Sequence, residues 1–171
     1  MVSRLASRSL ALLVPALLAG TPALAGTASA TSTVSIVKPT SLTRVADLNF
    51  GTMLTPATGT GTIAVNPNTG TPTYGGGLTA LAGTVGQAQF SGRASRLSLV
   101  WITLPAAPVT LTRSGGTETL VANNFTIDSA GQLRLVGTTP FPIGIGATLT
   151  VPATAVGGVY SGSFALTVDY Y

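Results

Sequence analysis

The chain contains no cysteine and no histidine, and only 7% of its 171 residues are charged. The first two absences exclude zinc fingers, thiol nucleophiles, histidine-based catalytic triads, haem and iron–sulfur ligation, and disulfide frameworks. An average soluble domain carries about 25% charged residues, so this surface must be polar by other means. Threonine and serine, with 28 and 14 residues, supply that polarity. The composition predicts a protein that is not an enzyme and binds no cofactor or metal.

The few carboxylates do not suggest a catalytic pair. Four acidic residues are present: Asp47, Glu118, Asp128 and Asp169. A glycosidase needs two carboxyl groups on either side of the scissile bond, and none of the four lies in a motif that would place it there. Asp47 follows Arg44 by three residues, so we interpret it as the partner in a local ion pair.

The N-terminus has the three-part layout of a secretory signal peptide. Arg4 and Arg8 precede the apolar run 10–19, which is shorter than the roughly 20 residues that span a bilayer. Small residues follow, with Ala-x-Ala sites that end at Ala25 and Ala30. We predict a signal peptide over residues 1–25, cleaved after Ala25 or alternatively after Ala30, and a secreted chain without a transmembrane segment, located from the periplasm to the extracellular cell surface.

Removal of the signal peptide changes the charge balance. Loss of its two arginines leaves six basic residues against four acidic ones, a net charge of +2. Nucleic-acid binding needs a concentrated basic surface. We therefore expect no nucleic-acid partner.

The remaining sequence is a series of short apolar or alternating runs separated by clusters of Gly, Pro, Asn and Ser. Runs of this kind, rich in Thr and Val, are typical of a sandwich or barrel, and no window keeps a helical apolar period. Strands are predicted at 33–38, 42–50, 61–65, 87–90, 97–104, 109–112, 117–121, 125–128, 132–136, 147–151 and 159–171. The predicted fold is an all-β, immunoglobulin-like antiparallel β-sandwich that forms one domain over residues 39–171, preceded by an N-terminal extension or first strand at 26–38.

Two local predictions follow from the strand pattern. The run 97–104 is apolar on both faces over part of its length, as a central core strand should be, so Trp101 is interpreted as a packing residue. Residues 47–51 are predicted to form a strand end and a turn, with Gly51 at positive φ.

The last strand alternates regularly. Phe164, Leu166, Val168 and Tyr170 fall on one face, and polar or small residues fall on the other. An outer-membrane barrel also ends in an amphipathic strand with a terminal aromatic residue, but here the face of Tyr171 carries an aspartate, which does not suit lipid. The apolar face is therefore predicted to lie against the core.

This tail resembles the closing motif of chaperone–usher pilins. Tyr170 is penultimate, alternating apolar residues precede it, and a glycine stands fourteenth from the end. In that family the final strand borders a groove left by a missing strand, which a chaperone fills first and the N-terminal extension of the next subunit fills later. The resemblance implies that this groove is lined by Gly158, Phe164, Leu166, Val168 and Tyr170.

A donor strand is also available in the sequence. Residues 28–36 have mostly apolar side chains at even positions, and Val34 and Ile36 are its candidate contacts. Cleavage after Ala30 would leave little of this segment projecting.

A broader resemblance covers about residues 33–171. An ordered set of segments is similar to the bacterial secreted domain-of-unknown-function family 4402; the segments lie at 38–51, 61–67, 90–92, 124–126 and 158–162. That family consists of small secreted Gram-negative proteins without an established activity. The resemblance implies export, an all-β domain and a non-enzymatic role.

Two functions remain open at this point. The first is an exported structural subunit of a cell-surface, pilus-like assembly, whose partners are copies of itself and a periplasmic chaperone. The alternative is a secreted monomeric binding module, an adhesin or a carbohydrate-binding sandwich. Tyr74, in a glycine-rich segment, is the aromatic side chain that we expect such a module to present.

Overall fold

The structure is a computed structural model that describes residues 41–171. This part of the chain contains strands and turns but no helix, so it holds no apolar helix able to cross a bilayer. The strands are β1 (Ser41–Ala46), β2 (Thr52–Leu54), β3 (Thr60–Val65), β4 (Pro72–Gly75), β5 (Thr79–Ala82), β6 (Ala88–Arg93), β7 (Ser98–Thr103), β8 (Val109–Arg113), β9 (Thr119–Ile127), β10 (Leu133–Val136), β11 (Phe141–Pro152), β12 (Tyr160–Ser161) and β13 (Thr167–Tyr170). The all-β prediction is confirmed.

The strands form antiparallel sheets. The large sheet has the order β1-β6-β11-β9-β8-β12, and β3 with its neighbour β4 is attached beside β11. A three-stranded sheet has the order β10-β7-β13, and β2 pairs with β5. The long strand β11 pairs with β6 along its first half, with β3 along its second half, and with β9 along its other edge. It therefore joins both halves of the large sheet.

The first core lies between the large sheet and the three-stranded sheet, and we call it the two-sheet core. Val100 and Ile102 of β7 face Ile143 and Ile145 of β11, and all four are fully buried. In β7 the buried residues alternate with exposed ones, so that strand has one inward face, whereas in β11 residues 143–147 are all buried. Burial of each such side chain contributes about 1.5–3 kcal/mol, so these pairs fix how the two sheets stack.

The second core lies on the other half of the large sheet. Ile63 and Val65 of β3 pack there with Leu149 and Val151 of β11. The cover over this core consists of Phe50, loop residues and the short strand β2 rather than a continuous sheet. The second layer is consequently less complete here than over the two-sheet core.

A bulge in β9 separates the two cores. The register with β11 shifts between Gly146 and Thr148, so that two residues of β9 stand opposite one of β11. Asn124 lies in this bulge with φ of 47°, a left-handed conformation that asparagine tolerates better than most residues. The sequence prediction of two strands at 117–121 and 125–128 was wrong here, because the bulged chain stays paired throughout.

Other strand predictions need correction. The segments β2, β4 and β5 were missed, because runs of three or four residues among Gly and Pro carry too little alternation. The predicted strand 159–171 is broken into β12 and β13, since its middle changes from one sheet to the other. β1 ends at Ala46, and the positive φ predicted for Gly51 is confirmed at 74°.

Two aromatic residues differ from their predicted roles. Trp101 lies on β7, the central strand of its sheet, but on the outward face, where it is 42% exposed. The prediction of a packing role was therefore wrong: only one face of this sheet is covered within the described residues. Tyr74 is half-buried in β4 and packs against the second core, so it is not presented by a loop.

A buried ion pair ties three segments together. Arg134 on β10 donates to a carboxylate oxygen of Asp128 at 2.6 Å and to the carbonyls of Gly131 and Pro142 at 2.7 Å each. Asp128 in turn accepts from the backbone N–H groups of Ala130 and Gly144. This network fixes the turn before β10 to the start of β11, a role that the sequence pattern did not indicate.

We predict that Arg134→Ala destabilises the protein by about 3 kcal/mol, because it leaves a largely buried carboxylate without its cation. Arg44→Ala is the matched control: Arg44 binds Asp47 at 2.6 Å, but both side chains are about 70% exposed. Breaking such a surface pair changes stability by less than about 1 kcal/mol. Urea unfolding of both variants measures the difference, and equal losses would contradict the assignment of Arg134.

Candidate functional site: a groove beside the C-terminal strand

The C-terminal segment crosses from one sheet to the other. Its first part, β12, pairs with β8 in the large sheet, and its last part, β13, pairs with β7 in the three-stranded sheet. Residues 162–166 between them pair with no strand in the described part of the chain. Gly162 begins the crossing so close to β8 that a Cβ atom there would lie 2.5 Å from the carbonyl oxygen of Thr110. A larger residue would push the crossing segment away from the sheet.

The structure places the predicted apolar face toward the core. Phe164, Leu166, Val168 and Tyr170 are half-buried, the residues between them are exposed, and all four pack against the two-sheet core. The alternation thus continues through residues 162–166 although that stretch has no ladder. The segment keeps an extended backbone shape without the hydrogen bonds of a sheet.

Phe164 anchors the unpaired stretch. The centroid of its ring lies 6.2 Å from that of the Phe90 ring, in an edge-on arrangement, and 5.2 Å from that of the Phe125 ring. Aromatic pairs in such geometries add about 0.5–1.5 kcal/mol beyond the area they bury. Phe125 follows the left-handed residue of the β9 bulge, so the bulge aims this ring at Phe164.

A groove runs beside the crossing segment. It consists of two adjoining cavities, of about 200 and about 570 Å³. Five residues line both cavities: Asp47, Leu48, Phe50, Leu111 and Gly162. The two spaces therefore follow one another along the inner face of the large sheet.

The floor of the groove is apolar. Val109 and Leu111 of β8 and Ala122 and Phe125 of β9 line the smaller cavity, and residues of β9 and β11 line the larger one. The walls are residues 44–53 on one side and 155–164 on the other. The geometry suits an extended segment that places an apolar side chain on the floor at every second residue.

Gly158 lies at the far end of the groove, where it lines the larger cavity. A Cβ atom at this position would come within 2.7 Å of Cδ of Arg113. Arg113 is held by Glu118, to which it donates at 2.7 and 3.2 Å, and this hydrogen bonding keeps the pKa of Glu118 below its usual range. The absence of a side chain at Gly158 thus lets the loop close over the stem of Arg113.

The predicted groove residues are only partly brought together. Phe164 and Gly158 line the groove, whereas Leu166, Val168 and Tyr170 continue beyond it and face the two-sheet core. Leu48, Phe50 and Leu111 line the groove and were missed, because their sequence contexts are those of ordinary half-buried strand residues. The proposed donor residues Val34 and Ile36 lie outside the described residues.

One edge of β13 is also unoccupied in the described part of the chain, where the strand pairs only with β7. The hydroxyl of Tyr170 at its end donates to the carbonyl of Ser41 at 3.3 Å. Burial raises the pKa of this hydroxyl, and a backbone hydrogen bond at Arg93 partly opposes the rise. Tyr170 thereby links the last strand to the start of β1.

Residues 40–170 match a family described as a domain of unknown function (DUF4402). The chain belongs to the DUF4402 family. No curated protein and no solved structure matches the chain. DUF4402 membership covers the whole of the described domain and gives it no activity, so a function has to be argued from the geometry of the groove.

We predict that the stability of the protein falls above pH 10 partly through Tyr170. An unfolded tyrosine ionises near pH 10, whereas the raised pKa of the folded state keeps Tyr170 protonated at that pH. Above pH 10 the unfolded state therefore binds fewer protons than the folded state, and the free energy of unfolding decreases as the pH rises. Urea unfolding between pH 8 and 11 should show a shallower decrease for Tyr170→Phe, and an unchanged slope would contradict the prediction.

Proposed function

We propose that this DUF4402 protein is an exported, non-enzymatic structural subunit of a cell-surface, pilus-like assembly, joined to its neighbours by β-strand addition. The observation that carries the proposal is the unpaired stretch 162–166 beside an apolar groove. Backbone groups without a ladder partner next to an apolar floor are what an added strand requires.

The occupant that we propose is the N-terminal segment of another copy. Residues 26–38 contain Val34 and Ile36 two positions apart, and apart from Val37 the rest of the segment is small and uncharged up to Lys38. Side chains two apart point to the same side of a strand, so both would face the groove floor. The predicted signal peptide supports export of the chain to a compartment where such assembly takes place.

The composition supports the same function. Exposed sheet edges are usually protected by charged residues, and this chain has few of them. In β1 only one of six residues is charged, and in β13 only Asp169 is. Edges of this kind are suited to pairing with another strand.

We expect the exported chain to form multimers larger than a dimer, which disappear when residues 26–36 are deleted. The deletion variant keeps its groove, so a synthetic peptide of residues 26–38 should bind it and stabilise it by about 2.7 kcal/mol at a hundredfold excess over the dissociation constant. Thermal unfolding with and without the peptide measures the stabilisation.

The matched control peptide carries Val34→Ser and Ile36→Ser. It has the same length and backbone but lacks the apolar contacts, so it should not stabilise the variant. The subunit proposal is wrong if the exported chain forms nothing larger than a dimer, if multimers larger than a dimer survive the deletion, or if both peptides act alike.

A second candidate function, a secreted monomeric binding module, is favoured by a different feature. The lining of a wide cleft of about 980 Å³ includes five uncharged polar residues, Asn68, Gln87, Gln89, Ser91 and Ser129, beside apolar residues and the paired charges of Asp128 and Arg134. Uncharged hydrogen-bonding groups of this kind suit a neutral, hydroxyl-rich ligand such as a carbohydrate. A monomeric exported chain that binds glycans would favour this function over the first.

A further inference from the structure

The outward face of the three-stranded sheet carries an ordered set of large apolar side chains. Leu133 of β10 stands opposite Trp101 of β7, which stands opposite Asp169 of β13. In the next row Leu135 stands opposite Leu99, whose backbone exchanges hydrogen bonds with Tyr171 at 2.8 and 3.2 Å. We call the apolar residues of these two rows, together with Leu97 directly before β7, the outer face.

The outer face is open to solvent in the described part of the chain. Leu97 and Leu135 are 68% exposed, Tyr171 is 73% exposed and Leu133 is 54% exposed, while Leu99 and Trp101 are each 42% exposed. Scaled by roughly 150–250 Å² for a large side chain, these fractions correspond to on the order of 600 Å². The largest apolar patch on a typical monomer is about 300–600 Å² and is often functional, so the outer face lies at the upper end of that range.

The chemistry of this face selects among occupants. Asp169, at the β13 edge, is the only charged residue in the two rows, so an anionic lipid surface finds no basic residues there to attract it. A sugar-binding face would need hydrogen-bonding groups between the aromatic rings on which the sugar stacks, whereas four of the six residues of the outer face are leucines. A leucine-rich sheet face with a single charge at its edge is suited to another apolar sheet face, which packs at about 10 Å.

We propose that the outer face is the interface of a two-fold symmetric dimer of this chain. A two-fold interface brings the same patch of both copies together, so an apolar face is complementary to itself. The exposed area lies at the lower end of the roughly 600–1,000 Å² that each partner buries in a standard stable interface. The carboxylate of Asp169 lies on the edge strand β13, where it stays at the rim. This contact is separate from the groove and does not depend on strand addition.

The test uses the exported chain with residues 26–36 deleted alongside the intact chain, so that strand addition and face-to-face pairing are measured separately. Sedimentation over a wide range of concentrations gives the oligomeric state. Trp101 is the single tryptophan of the chain, so its fluorescence reports directly on burial of the outer face. We expect both chains to dimerise through this face, with Trp101 emission moving to shorter wavelength as the dimer forms.

The decisive variant is Leu99→Thr with Leu135→Thr, which keeps β-propensity but removes two adjacent side chains from the centre of the face. The matched control, Leu54→Thr with Leu81→Thr, changes two leucines of similar exposure on the β2–β5 sheet. The first variant should weaken dimerisation more than about a hundredfold and leave Trp101 exposed. The control should dimerise like the parent chain.

Several results would overturn the proposal. Dimers that persist in Leu99→Thr with Leu135→Thr would place the contact elsewhere. A monomer whose Trp101 is already shielded would show that residues 26–40 of the same chain cover the face. A monomer that associates through this face with neutral phosphatidylcholine vesicles would assign it to lipid. A chain that is monomeric at every concentration, with Trp101 exposed, would show that the outer face does not bind a second copy. Each of these outcomes leaves the peptide experiment on the groove unaffected.

Discussion

The pairing of β11 with three other strands is the interaction on which the rest of this structure depends. Its twelve residues supply inward side chains to both cores, with Ile143 and Ile145 in one and Leu149 and Val151 in the other. The chain has no cysteine and hence no disulfide, and residues 41–171 contain few ion pairs, so sheet hydrogen bonds and apolar burial must provide the stability of this part. Because β11 pairs with β3, β6 and β9, its backbone hydrogen bonds connect the strands of both cores.

The same arrangement creates the openings in the fold. The three-stranded sheet covers only the first core, and the second core is covered by loops and short strands. The chain passes between these two parts of the layer at residues 162–166, and the groove lies there. The proposed function thus comes from a layer that is incomplete, while the Asp128–Arg134 network and the buried isoleucines keep the complete part rigid. An added strand and a second copy would meet two different parts of this layer, the groove and the outer face.

Much of the fold was predictable because strands leave a local signal. Alternation at residues 164–170, the positive φ of Gly51 and the ion pair of Arg44 with Asp47 depend on neighbours within a few residues, and the structure confirms each. The wrong predictions concern residues whose burial depends on parts of the chain that are distant in the sequence. Trp101 was assigned to the core because its strand is apolar on both sides, and whether a second layer covers the outer side is not a local property. The lining by Leu48, Phe50 and Leu111 was missed for the same reason.

The sequence alone determined that this is a cysteine-free, histidine-free all-β protein of the DUF4402 family, because composition and alternation are properties of the chain itself. Tertiary structure decided what the scarce charges and the abundant apolar side chains do. It buried Arg134 against Asp128, turned Leu99 and Trp101 outward, and broke the last strand so that residues 162–166 lie unpaired beside a groove. The physical reason is that a sheet face or edge is defined by what packs against it, and the packing partners here are separated by tens of residues in the sequence.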